Sequence, residues 1–109
     1  MDNNLILGLV EDVKINGTLV KAKVDTGADR SSICKSLIVK LNLIPTGKKR
    51  IVRSSNGTEK RDIYLAEIEI KDKKFNSEFT TSKRNHLTYS VLIGKDILKK
   101  GFMIDPSRW

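Results

Sequence analysis

Asp25 is followed by Thr26 and Gly27 at the end of a segment whose apolar residues alternate, which places a carboxylate, a small hydroxyl and a glycine where a strand stops. A carboxylate held at the end of a rigid sheet can take a proton from water or lend one to a reacting carbonyl. Asp and Gly are also ordinary turn residues, so this triplet alone is compatible with a simple strand-ending turn. A second segment adds to it: Val91-Leu92-Ile93-Gly94-Lys95-Asp96-Ile97-Leu98 is an apolar run closed by glycine and followed by a short helical stretch. The other candidates for chemistry are weaker. Cys34 and His86 are the only cysteine and histidine, they are distant in sequence, and no motif surrounds either. A nucleophilic cysteine needs a base, so Cys34 reads as a small core residue and His86 as a loop residue.

The elements that must position Asp25 read mostly as strands, because period-two alternation dominates and turn signals recur at short intervals. Val13 to Ile15 and Thr18 to Val24 flank Asn16-Gly17, a dipeptide suited to a tight hairpin. The second of these strands puts Thr18, Val20, Ala22 and Val24 on one face and delivers Asp25 at its end. Ser36 is placed to cap a short helix over Leu37 to Leu41, with Pro45 beyond its end. Lys49 to Arg53 and Thr58 to Ile70 read as a second hairpin joined through Ser54-Ser55-Asn56-Gly57, with Tyr64, Ala66, Ile68 and Ile70 sharing a face. Phe75, Phe79 and Thr81 pattern a further strand, and Ser82 to Thr88 reads as a polar loop. Ser90 to Ile93 then reads as a buried strand, Lys95 to Lys100 as a helical turn stopped by Gly101, and Phe102 to Ile104 as a last strand.

The Asp25 loop and the closing segment together resemble the retropepsin-like aspartic peptidases, in which the glycine ending the second run lets a strand pass close behind the catalytic loop. The chain is also similar to a small microbial family labelled ATP-dependent zinc proteases. That similarity rests on Lys21 to Ala28, on Ser54 to Gly57 with Arg61, and on Arg84, Tyr89, Val91 to Lys95 and Asp105-Pro106-Ser107-Arg108, nearly the whole chain in matching order. The resemblance implies a mainly β fold, a retropepsin-like closed barrel (the acid protease fold) with one or two short helices. It makes Asp25 catalytic, with Thr26, Gly27, Ala28, Asp29, Gly94 and Lys95 as active-site support. Ser54, Ser55, Asn56 and Gly57 become the candidate flap, whose bland alternative is a surface turn. By the same resemblance Thr26 would hydrogen-bond across a dimer axis, and Asp29 would contact substrate backbone and pair with a following arginine, which here is Lys95. Lysine keeps the charge and loses the bidentate fork.

Hydrolysis of this kind needs two carboxylates sharing one proton, and the chain carries one Asp-Thr-Gly. The second carboxylate must be Asp25 of another copy, so catalysis implies a two-fold homodimer acting on a peptide or protein substrate. Two carboxylates about 4 Å apart repel by roughly 4 kcal/mol at an effective dielectric near 20, so one proton is retained and belongs to the pair. The rival reading keeps the fold but uses the groove only to hold a peptide or assemble a complex. Neither zinc nor ATP is expected despite the family label. Zinc takes three or four organised ligands, the chain has one His and one Cys, and there is no phosphate-binding glycine loop. The expected cofactors are none and the expected metal site none.

With 109 residues the chain is read as one retropepsin-like domain, 1–109, forming half of such a dimer. No apolar run approaches the roughly 18 residues needed for a membrane helix, and no membrane role is expected. The start lacks the pattern of a signal peptide and the lone cysteine gives no sign of an oxidising compartment, which favours a cytoplasmic location. The net charge of +8, from 21 Lys and Arg against 13 Asp and Glu, is spread over solvated turns. It could steer acidic partners, but without a recognised binding motif it does not imply nucleic acid.

Overall fold

The computed structural model describes residues 5–82 and 88–108. Its strands are β1 (Ile6–Leu7), β2 (Val10–Ile15), β3 (Thr18–Val24), β4 (Ser32–Cys34), β5 (Ile44–Ser54), β6 (Gly57–Ile70), β7 (Lys73–Ser82), β8 (Val91–Ile93) and β9 (Met103–Ile104). Two short helices, α1 (Lys35–Lys40) and α2 (Lys95–Leu98), interrupt them.

Six strands close into a ring. β2 and β3 form an antiparallel hairpin, β3 pairs in parallel with β8, and β8 pairs antiparallel with β4. β4 then runs parallel to β7, β7 antiparallel to β6, and β6 returns to β2 through Val13↔Ile70 and Ile15↔Ile68. Closure removes the free edges that an open sheet would present. β5 stays outside the ring as the partner of the long strand β6. β1 and β9 form a separate parallel pair of two residues each.

Local chemistry accounts for the turns. Asn16 and Gly17 both have positive φ, at 48° and 85°, which is the geometry of a two-residue hairpin whose twist matches its strands. Asn16 also fastens this hairpin to the ring: its amide donates to the Glu67 carbonyl, and its side-chain oxygen accepts from the Glu67 amide, both at 2.8 Å. Alternation decides what is inside. Ala22 and Val24 of β3, Ala66, Ile68 and Ile70 of β6, and Phe79 of β7 point inward to meet Val13, Ile15, Ile33, Val91, Ile93 and Ile97. Each fully buried Val, Ile or Phe side chain among them contributes about 1.5–3 kcal/mol of transfer free energy.

Several local expectations are corrected. The cap of α1 is Cys34, with no side-chain cap hydrogen bond, and the helix starts at Lys35 rather than at Leu37. Ser36 lies inside the first turn, its hydroxyl 3.2 Å from the Cys34 sulfur. The helix stops at Lys40, with Leu41 as its C-cap, and Asn42 follows with φ of 52°. β5 starts at Ile44, well before Lys49, and takes in Pro45 because it is the outermost strand and a register shift between Pro45 and Lys49 absorbs the irregularity. α2 ends at Leu98 rather than Lys100. Ser82 closes β7 instead of opening a loop, while the rest of that loop up to Leu87, with Arg84 and His86, lies outside the described residues. Among the described residues no helix is long and apolar enough to cross a membrane.

Candidate active site

β3 delivers Asp25 to one end of the ring, where the Asp25 amide donates to the Ile93 carbonyl at 2.9 Å and ties the loop to the end of β8. The loop then folds back on itself. The Ala28 amide donates to the Asp25 carbonyl at 3.3 Å, and the Gly27 amide donates to Asp25 Oδ1 at 2.9 Å. That bond orients the carboxylate. A Cβ on residue 27 would lie 3.2 Å from the same oxygen, so glycine leaves it room. Asp25 is half-buried, Thr26 and Gly27 are exposed, and among the described residues the Thr26 hydroxyl has no hydrogen-bond partner.

Gly94 sits directly behind this loop. A Cβ there would lie 2.7 Å from the Ala28 carbonyl oxygen and 2.8 Å from the Arg30 carbonyl carbon, distances that side-chain carbons do not adopt. Its φ of −101° is ordinary, so the requirement for glycine is steric rather than conformational. The closeness allows the Lys95 amide to reach the Ala28 carbonyl at 2.8 Å. Lys95 Nζ stands 3.5 Å from Asp29 Oδ1, and both side chains are well exposed, which makes this a weak surface pair.

The support that the sequence did not reveal is Ser31. It is fully buried, its hydroxyl accepts the Gly94 amide at 2.9 Å and donates to Asp96 Oδ1 at 2.7 Å, and its amide donates to both Asp96 oxygens. Its carbonyl accepts from the amide and hydroxyl of Thr80 at 3.1 and 3.2 Å. One serine thus joins the Asp25 loop to β7, β8 and α2. An acidic residue in the first turn after Gly94 was the available signal, but such a residue ordinarily reads as a complement to the helix dipole.

The proposed flap, Ser54 to Gly57, is the tip of the long β5–β6 hairpin, with Gly57 at φ of 114°. Ser55, Asn56 and Gly57 are exposed, and this tip is carried on a different element from the Asp25 loop. Near the loop and the hairpin, Ile33 and Ile93 are fully buried core, while Ala28 and Val52 are partly exposed.

The donors present do not fit the zinc of the microbial family's label. Cys34 is buried with its sulfur against Ser36. Burial pushes that thiol up, but hydrogen bonds from Ser36, Leu37 and Ser90 outweigh it and hold it below its ordinary value. Among the described residues no three His, Cys, Asp or Glu side chains come together around a possible metal.

Comparison with known proteins bears on the fold and the family. The chain is 31% identical over 94 residues to "Protein DDI1 homolog 1" of Caenorhabditis elegans, and 28% identical to a "Probable alpha-L-glutamate ligase" of Shewanella pealeana. These matches take in 82% and 97% of the chain but only 24% and 29% of the two relatives, so the chain spans about a quarter of their length. Among solved structures, a Legionella pneumophila protein of unknown function superposes with a TM-score of 0.69 at 23% identity, covering 96% of this chain and 95% of that one. The EIAV protease bound to an inhibitor gives 0.67 at 21% identity, over 88% and 90%, and the simian foamy virus protease gives 0.63 at 20%, over 80% and 88%. The fold is therefore the closed barrel of the retroviral proteases. A family model matches residues 11–100, which run from β2 through the Asp25 loop and the β5–β6 hairpin to just beyond α2. The chain belongs to the family described as "gag-polyprotein putative aspartyl protease".

Proposed function

We propose that two copies of this chain pair about a two-fold axis to form an aspartic endopeptidase, each copy, residues 1–109 as one domain, supplying one Asp25. In the pair one carboxylate takes a proton from water while the other, carrying the shared proton, hydrogen-bonds the scissile carbonyl. The water oxygen bonds to the carbonyl carbon. When the resulting tetrahedral species collapses, the C–N bond breaks and the nitrogen leaves with a proton from the pair. Thr26 would bond across the axis to the opposite loop. Asp29, supported by Lys95, would meet substrate backbone, and the tip at Ser54 to Gly57 would close over an extended peptide. Residues alone suffice for this scheme, with no cofactor.

One observation carries the reading: Asp25 is held by the Ile93 carbonyl and the Gly27 amide at an exposed end of the barrel, next to a Thr26 hydroxyl that has no hydrogen-bond partner among the described residues. Such a loop is complete as a support and incomplete as a catalyst until a second copy meets it. The test incubates purified protein with a diverse peptide mixture from about pH 3 to about pH 8, beside Asp25→Asn and a statine-peptide inhibitor. Cleavage that disappears in the variant and with the inhibitor is expected. Cleavage persisting in Asp25→Asn would overturn the mechanism, and peptide binding without cleavage would favour the peptide-holding module.

A further inference from the structure

The loop that starts at Asp25 runs on to Arg30, and Arg30 also walls a small cavity of about 120 Å³. The stem of the β5–β6 hairpin also lines it, through Lys49, Arg50 and Ile63, together with Glu78, Phe79 and Thr80 of β7. The cavity therefore lies between the end of the Asp25 loop and the strands that carry the proposed flap.

Its charges are unequally committed. Lys49 is paired with Asp62 at 2.6 Å and Glu78 with Lys48 at 3.2 Å, so one cation and the one anion of the lining are already neutralised. Arg30 and Arg50 have no carboxylate partner among the described residues. Arg50 lies directly opposite Arg61 in the β5–β6 register, and the Arg61 guanidinium turns to Glu59 at 3.4 Å. Like charges opposed across two strands destabilise the pairing, and among the described residues no carboxylate pairs with Arg50 to offset its charge. The lining also includes apolar Ile63 and the buried Phe79 ring, and an ion pair beside such a surface is screened less than one in open water.

We propose that this cavity is a substrate subsite for an Asp or Glu side chain, with Arg30 and Arg50 binding its carboxylate. The proposal rests on the peptidase reading and names the substrate class of that same site: extended peptides carrying an acidic residue at one fixed position from the scissile bond. A guanidinium presents a planar fork of donors that matches a carboxylate, which an amide of equal size cannot exploit as an anion. The chain's net charge of +8 assists the approach of such peptides at low salt.

The probe is a set of octapeptide pools, randomised except for one fixed position holding Glu, Gln or Lys, presented to wild type, Arg30→Gln and Arg50→Gln. Cleavage is followed by mass spectrometry in wild type, and binding by anisotropy of labelled pools in Asp25→Asn, alone and combined with each arginine variant. At one fixed position, Glu pools are expected to be cleaved and bound about ten-fold or more better than Gln pools, with the ratio falling toward one in either variant and in about 1 M salt. A merely structural arginine would lower all pools together and leave the ratio intact, and that result overturns the proposal. Equal cleavage of Glu and Gln pools at every position overturns it while leaving the peptidase standing. Glu-selective binding without any cleavage by wild type supports the subsite and rejects the peptidase, and absence of both selectivities rejects the subsite. Arg50→Glu adds an independent arm, since reversing the charge should shift preference toward Lys pools.

Discussion

The amide and the hydroxyl of Ser31 both donate to the carboxylate of Asp96, a residue 65 positions later in the chain. That contact, made from a fully buried serine to a half-buried carboxylate, locks the end of the Asp25 loop against the start of α2. Because Ser31 also holds the Gly94 amide, Ser31→Ala strips a partner from two groups at once. A buried donor or acceptor left unsatisfied costs about 1–3 kcal/mol. Urea unfolding of Ser31→Ala should show a loss in or above that range, and Ser31→Thr, which keeps the hydroxyl, should recover part of it.

Gly94→Ala tests the close passage behind the loop. The added methyl would meet main-chain atoms of Ala28 and Arg30, which cannot swing aside as a flexible side chain can. Overpacking of this kind costs about 1–3 kcal/mol. Peptidase activity should fall by much more than the stability loss alone explains, because the displaced segment carries Asp25. Parallel measurement of activity and of the thermal midpoint separates the two effects.

Thr26→Ala should act on pairing. The side chain is exposed in a single copy, so the stability of one copy should change by no more than about 0.5 kcal/mol. Sedimentation should report weaker self-association, and activity per copy should fall most steeply at low protein concentration. Unchanged association would remove Thr26 from the proposed pairing.

Asp105→Asn gives a pH signature. The Ser107 hydroxyl and amide donate to Asp105 Oδ1 at 2.6 and 3.0 Å, and they hold this carboxyl below its ordinary value of 3.8. A group depressed on folding stabilises the native state above its unfolded value and loses that effect as pH falls through the lower folded value. Wild type should therefore be the more stable near pH 7, and the difference should shrink as pH drops below about 3.8. Thermal midpoints at several pH values check it; a constant difference down to about pH 2 would contradict the assignment.

What could be read in the sequence was local. Asn16-Gly17, the inward faces of β3 and β6, the Asp25 loop and the closing glycine each announce themselves within a few neighbouring residues. β4 escaped because three residues are too few to display alternation, and β1 is shorter still, whereas β9 was legible as the strand Phe102 to Ile104 after the Gly101 stop. Ser36 looked like a cap because serine favours that position, yet Cys34 with φ of −69° and ψ of 150° has the extended geometry a cap requires. Ser31 was hidden for a different reason: its partners at Thr80, Gly94 and Asp96 are long-range, and nothing in Arg30-Ser31-Ser32 distinguishes a buried hub from a polar turn. The pairing of β8 with both β3 and β4 is equally non-local.

That insertion of β8 between β3 and β4 sets a timetable for synthesis. On the ribosome, β2, β3 and the Asp25 loop emerge early, but the acceptor for the Asp25 amide is the Ile93 carbonyl, made far later. Until residues 91–94 leave the exit tunnel the loop lacks both its anchor and its backing, and long-range closure of this sort forms late. A nascent chain thus carries the Asp-Thr-Gly triplet long before it can arrange it.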